Sequence, residues 1–144
     1  MLSGWKVKKP KLLSAGKSGR YYFTLHSEYK MREYHLSRQR VIRIIRSPHR
    51  TETGIVENTV AVMQPASTKR TNGKETWSQE LWVMYKVMGH DKLTKSKLEQ
   101  ALNQSELKII SAWRYPGVSP ERDPIPAEIL REIAVRSEEE EDIE

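Results

Sequence analysis

The chain has no cysteine. That excludes disulfides, thiolate metal sites and cysteine nucleophiles, and it suits a reducing compartment. No apolar run approaches the roughly 20 residues that span a bilayer, so no membrane association is expected. The lysines of the first 20 residues are not followed by a continuous apolar stretch, which argues against a secretory signal. The expected location is the cytoplasm. The 7 glycines are scattered and form no phosphate-cradling loop. The 4 histidines, His26, His35, His49 and His90, fall into neither an HxxxH nor an HExxH pattern. No metal site and no cofactor are expected.

What the chain does have is segregated charge. Residues 1–50 hold 13 Lys and Arg against 2 Glu, whereas residues 121–144 hold 3 Arg against 10 Asp and Glu. A basic front half calls for an anionic partner, with nucleic acid the first candidate. At 144 residues the chain is read as one domain. A flexible basic arm is expected over 1–19, a single α+β domain over 20–136 and an unstructured acidic tail over 137–144.

Arg20 to Leu25 is aromatic and β-prone and reads as a short strand. A first helix is expected from about Ser27 to Tyr34, with His26 at its start. Ser37 is placed to cap a second helix, with Leu36 and Val41 at the spacing of a hydrophobic staple. Val41, Ile44 and Ile45 form its inner face, and Pro48 ends it. Strands are expected within 55–63, 80–87 and 107–115. Strict alternation puts Leu81, Val83, Tyr85 and Val87 on one face of the second. It puts Ile109, Ser111, Trp113 and Tyr115 together on the third. The stretch from Gln64 to Gln79 reads as a polar connection with a turn at Asn72-Gly73. A short helix over 94–102 competes with disorder. A last helix is expected over 127–135, with Ile129, Leu130 and Ile133 inward. Strands joined by loops should pair antiparallel. The expected fold is α+β: an antiparallel sheet of about four strands, two N-terminal helices packed on it and a C-terminal helix, all on one face.

Two segments carry a family resemblance. His26, Met31, Leu36, Ser37, Val41 and Pro48 resemble the histidine-started helix pair of the BrnT-like branch of the RelE superfamily. Lys108-Ile-Ile-Ser-Ala-Trp-Arg114 looks like the last-strand Ile-Ser-Ala-x-Arg of the same toxins. The resemblance spans roughly residues 20–115. It departs at Lys30, where an arginine is usual, at Tyr34-His35, which replaces a basic-Gly turn, and at Trp113, where another arginine is common.

The resemblance implies a small RNA-binding protein, an endoribonuclease toxin that cleaves RNA without metal and pairs with an acidic antitoxin protein. In such a reaction a base activates the ribose 2′-hydroxyl, cations stabilise the phosphorane and an acid protonates the leaving oxygen. His26 is a candidate for proton transfer and Arg114 for clamping phosphate. Arg50 and Glu52 are candidates for a carboxylate base beside an arginine, with a loop ion pair as the alternative. Lys30, Arg38, Arg43, Arg46 and Lys86 are candidate RNA contacts, with the lysines of the arm beside them. Tyr21, Tyr22, Trp82 and Trp113 read as core more readily than as base-stacking platforms. Replacement of the family's arginines at Lys30 and Trp113 favours a second function: a non-catalytic nucleic-acid-binding or protein-interaction module that keeps the fold.

Overall fold

The computed structural model describes residues 16–90, 94–102 and 105–143. The elements in chain order are β1 (Gly16–Ser18), β2 (Tyr21–Phe23), α1 (Leu25–Glu33), α2 (Arg38–Arg46), β3 (Arg50–Thr53), β4 (Val60–Pro65), β5 (Lys69–Thr71), β6 (Lys74–Thr76), β7 (Gln79–Val87), α3 (Lys95–Leu102), β8 (Leu107–Pro116) and α4 (Ala127–Ile143). Most of the expected basic arm, including Trp5, Lys6, Lys8, Lys9 and Lys11, lies outside the described residues. Its end, Gly16–Ser18, is an edge strand.

Six strands form one sheet in the order β1-β2-β8-β7-β4-β3. The expectation of a purely antiparallel sheet fails at one pair: β2 and β8 run parallel. The antiparallel rule applies to strands that follow each other through a loop. After β2, however, α1 and α2 carry the chain across to β3 on the far edge. The sheet is then laid down strand by strand, and β8 arrives beside β2 in the same direction.

Helices cover both faces, which corrects the one-sided packing expected. On one face the staple residues Leu36 and Val41, with Ile44 and Ile45 of α2, pack on Phe23, Val83, Tyr85 and Ile109, and α3 adds Leu98 and Ala101. On the other, Ile129 and Ile133 of α4 pack on Met63, Trp82, Met84 and Trp113. Leu130 remains 40% exposed rather than inward. Both strand faces of β7 are apolar because both are covered. The alternation expected for β7 holds, with Leu81, Val83, Tyr85 and Val87 in one cluster. That of β8 does not. Met84 pairs with Ser111 but Tyr85 with Ile109, so Ile110 is an extra residue, a β-bulge. Beyond it the strand's faces are exchanged, and Ala112 joins Ile109 while Trp113 joins the α4 core. Trp82 and Trp113 are fully buried and stack 6.0 Å apart.

The helix ends are locally determined. Thr24 caps α1, its Oγ1 accepting from Ser27 N while donating to Ile109 O at 2.8 Å. Helix α1 therefore continues beside the distal half of β8, where β2 has ended. At its C-terminus, Leu36 N donates to Met31 O and His35 N to Arg32 O, closing a Schellman motif. His35 occupies the left-handed position (φ 59°) usually filled by glycine. Ser37 caps α2 through Arg40 N, as its sequence position implies. Helix α4 runs on through the residues expected to form an unstructured tail, to Ile143.

Candidate nucleic-acid interface

The polar connection between β4 and β7 is itself structured. β5 and β6 make a separate two-stranded ribbon, turned by Asn72 (φ 52°) and Gly73 (φ 79°). This is the Asn-Gly hairpin chemistry of a type I′ turn. Every residue of both strands is exposed. Ala66 N donates to Gln79 O across the stem at 3.0 Å.

Three arginines gather at the root of this ribbon. Arg40 Nη2 donates to Pro65 O at 3.3 Å, where β4 ends. Arg114 donates from Nη1 to Gln79 Oε1 at 3.4 Å, where β7 begins, and from Nε to Tyr34 O at 2.7 Å. Arg43 stands one turn along α2 from Arg40, and its carbonyl accepts from Gln64 Nε2. Burial, then repulsion from Arg43 and Arg114, pulls the Arg40 guanidinium below its ordinary pKa. No carboxylate among the described residues is in ion-pair range of the three, and the Arg40 Nε is buried without an acceptor. Like charges held together around an unfilled donor form a site that an anion would relieve. Arg40 is one of the outward arginines of the second helix that the sequence offers as backbone contacts, though it is not singled out there. Its i, i+3 spacing to Arg43 was the available signal.

The other candidate RNA contacts lie elsewhere. Lys30 is 4% exposed and held by Glu33 at 2.8 Å and Glu132 at 3.0 Å. These carboxylates outweigh the opposing effect of burial and raise its pKa. Arg38 is consumed by an ion pair with Glu28 and lies over the Phe23 ring. Arg46 lines a separate cleft with Arg20, Tyr21 and Glu99. Lys86 is paired in register with Lys108 near the opposite end of β7.

The candidate catalytic residues do not share one cleft. His26 is 7% exposed, with Nε2 3.5 Å from Ser111 Oγ and 3.9 Å from Glu132 Oε1. It opens on a cleft of about 450 Å³ lined also by Tyr29, Lys30, Glu33 and Arg131. The carbonyl that holds Arg114 lies eight residues further along α1, about 12 Å at 1.5 Å per residue. Arg50 and Glu52 are on β3, three strands from β8, about 14 Å away. Their work there is structural. Arg50 donates to the carbonyls of Ser119 and Pro120 at 2.9 Å and lies over Trp82. The Glu52 carboxylate is 3.3 Å from Arg50 Nε and accepts from Arg122 N at 3.1 Å. Beside them Glu80, fully buried, accepts from Trp77, Trp82 and both donors of Ser119. Burial alone would raise its pKa, but these hydrogen bonds outweigh it and the value is lowered. Sequence reasoning missed Glu80, because a lone glutamate opening an apolar strand gives no sign of its donors.

Comparison with known proteins adds no assignment. No family model, curated protein or solved structure matches the chain. Among the described residues no cluster of His, Asp or Glu is arranged to hold a metal ion. No helix among them is long and apolar enough to cross a membrane.

Proposed function

We propose that the chain is a non-catalytic nucleic-acid-binding module. The observation that carries this is the cluster of Arg40, Arg43 and Arg114, three cations without a carboxylate at the root of an exposed basic ribbon. Phosphate oxygens would offset the mutual repulsion of these three guanidinium groups. The expected RNA partner is retained as a test substrate, alongside DNA.

Binding should weaken steeply with salt, because each neutralised phosphate releases counterions. An Arg43→Ser/Arg114→Ser variant should lose affinity for RNA and DNA alike and keep its thermal unfolding midpoint within a few degrees. Nucleic-acid binding unchanged in that variant would overturn the reading.

A second reading, RNA cleavage, has one observation in its favour: His26 reaches an open cleft with Lys30 and Arg131. Against it, Glu33 and Glu132 line the same cleft and offset both cations. Incubation with RNA in chelator separates the two. Intact RNA is expected, whereas cleavage abolished by His26→Ala with binding retained would install the endoribonuclease reading instead.

A further inference from the structure

We propose that the β5–β6 ribbon enters the major groove of double-stranded DNA as a reading arm. This rests on the nucleic-acid reading above and specifies the kind of nucleic acid.

The ribbon sequence, Lys69-Arg-Thr-Asn-Gly-Lys-Glu-Thr76, contains no apolar residue. It contributes nothing to either core, and an isolated two-stranded hairpin is marginal in water. The body nevertheless holds it. The His49 ring lies edge-on to Trp77 at 4.9 Å and 3.7 Å from the Glu75 carboxylate. Trp77 in turn donates to buried Glu80 at 2.9 Å. A polar hairpin anchored at its base and exposed along its length is built to meet something outside the protein.

Its two faces differ. The pairs Lys69↔Thr76 and Thr71↔Lys74 share one face, and Arg70↔Glu75 lies on the other. The ribbon's one acid is thus on the face held by His49. The opposite face presents two lysines and two threonines and no carboxylate. Lysine recognises guanine O6 and N7, the threonine methyl meets the thymine methyl, and Asn72 at the tip is suited to adenine.

Dimensions select the form of the duplex. A strand pair is about 4.8 Å between backbones, and four residues of each arm reach about 13 Å. The major groove of B-form DNA, about 12 Å wide and 8.5 Å deep, admits such a ribbon. The corresponding groove of A-form RNA is too deep and narrow for side chains to read. Single strands are held largely by stacking on aromatic rings, and the ribbon carries none. Arg40 and Arg114, hydrogen-bonded to Pro65 and Gln79 at the ribbon's two roots, are placed for the phosphates flanking the groove.

The test uses the full chain and fluorescence anisotropy with three labelled probes of equal length: mixed-sequence duplex DNA, duplex RNA and single-stranded RNA. Wild type should prefer duplex DNA by about tenfold or more over both RNAs. Lys69→Ser/Lys74→Ser should lower duplex DNA affinity by about tenfold through lost base-edge contacts, whereas Arg43→Ser/Arg114→Ser should reduce the slope of log K against log salt by about 2, at roughly 0.9 per lost phosphate contact. Lys69 and Lys74 are exposed, so an unchanged melting temperature confirms folding. If the Lys69→Ser/Lys74→Ser variant binds DNA as wild type does, while Arg43→Ser/Arg114→Ser abolishes binding, the ribbon proposal falls and the nucleic-acid reading stands. Preference for either RNA also overturns the groove assignment. Absence of binding to all three probes overturns both.

Discussion

At the scale of single residues, the structure turns on polar groups that the sequence leaves unmarked. Glu80 is a carboxylate kept ionised in the core by four donors rather than by a cation. A carboxyl whose folded pKa lies below its unfolded value stabilises the fold fully above the unfolded value. That contribution is lost as pH falls through the folded one. Glu80→Gln should cost about 2–3 kcal/mol near neutrality, because an amide turns donors toward donors. It should also flatten the acid limb of a urea-unfolding series. An acid limb identical to wild type would show that Glu80 carries no such linkage. Lys30 has the opposite sign. Its raised pKa gives stability that is present below the unfolded lysine value and lost as pH rises through the folded one. Tyr85 buries a hydroxyl that has no hydrogen-bond partner among the described residues, and burial pushes its pKa far up. Tyr85→Phe is therefore expected to be neutral or to stabilise by about 1 kcal/mol in chemical denaturation. His35 is strained by its left-handed backbone, so His35→Gly should add about 0.5–1 kcal/mol. These positions illustrate the limit of reading from sequence. Ser37 as a cap and Leu36–Val41 as a staple are local patterns and were legible. The donors to Glu80 come from as far away as Ser119, and no spacing rule reports them.

At the scale of elements, α2 was legible from its single helical period and β7 from a β-prone apolar run. The ribbon strands were not, because three exposed polar residues on each side of a turn have no periodicity to detect. Asn72-Gly73 was the one visible trace. β8 was misread in its distal half by one residue of register. The bulge at Ile110 reverses the faces of everything after it, which sends Trp113 into the α4 core and Arg114 to the arginine cluster. Deleting Ile110 should remove the bulge and restore strict alternation while Ile109 keeps Tyr85 and Ser111 keeps Met84, so that Trp113 and Arg114 stay in their layers. The expected result is retained cooperative unfolding with native-like tryptophan fluorescence. Loss of cooperative unfolding in the Ile110 deletion would show that the bulge itself is required. Ser37→Ala, by contrast, removes one cap and should cost about 1 kcal/mol.

At the scale of the whole molecule, charge and topology separate its tasks. One side of the sheet carries α2 and the arginines at the ribbon root. The other carries α4 and the buried Glu52–Glu80 network that fixes the 117–126 loop. The basic front half seen in the sequence is thereby sorted. Lys30, Arg38 and Arg50 are spent within the fold, while Arg40 and Arg43, like Lys69 and Lys74 of the ribbon, make no ion pair among the described residues. Raising salt from 50 to 200 mM should weaken nucleic-acid binding by tenfold or more without lowering the melting temperature in step. Equal affinity at both salt concentrations would argue against phosphate contacts.

The parallel pairing of β2 with β8 joins positions 86 residues apart, such as Phe23 and Ile109. On a ribosome adding about 5–20 residues per second, β2 waits several seconds for β8. β8 is thus the last strand of the sheet to be supplied, and the sheet cannot close until it has been made. Until then, Phe23 and Met31 lack Leu107 and Ile109 of their shared core, so chains truncated before β8 are expected to be taken by chaperones and proteases.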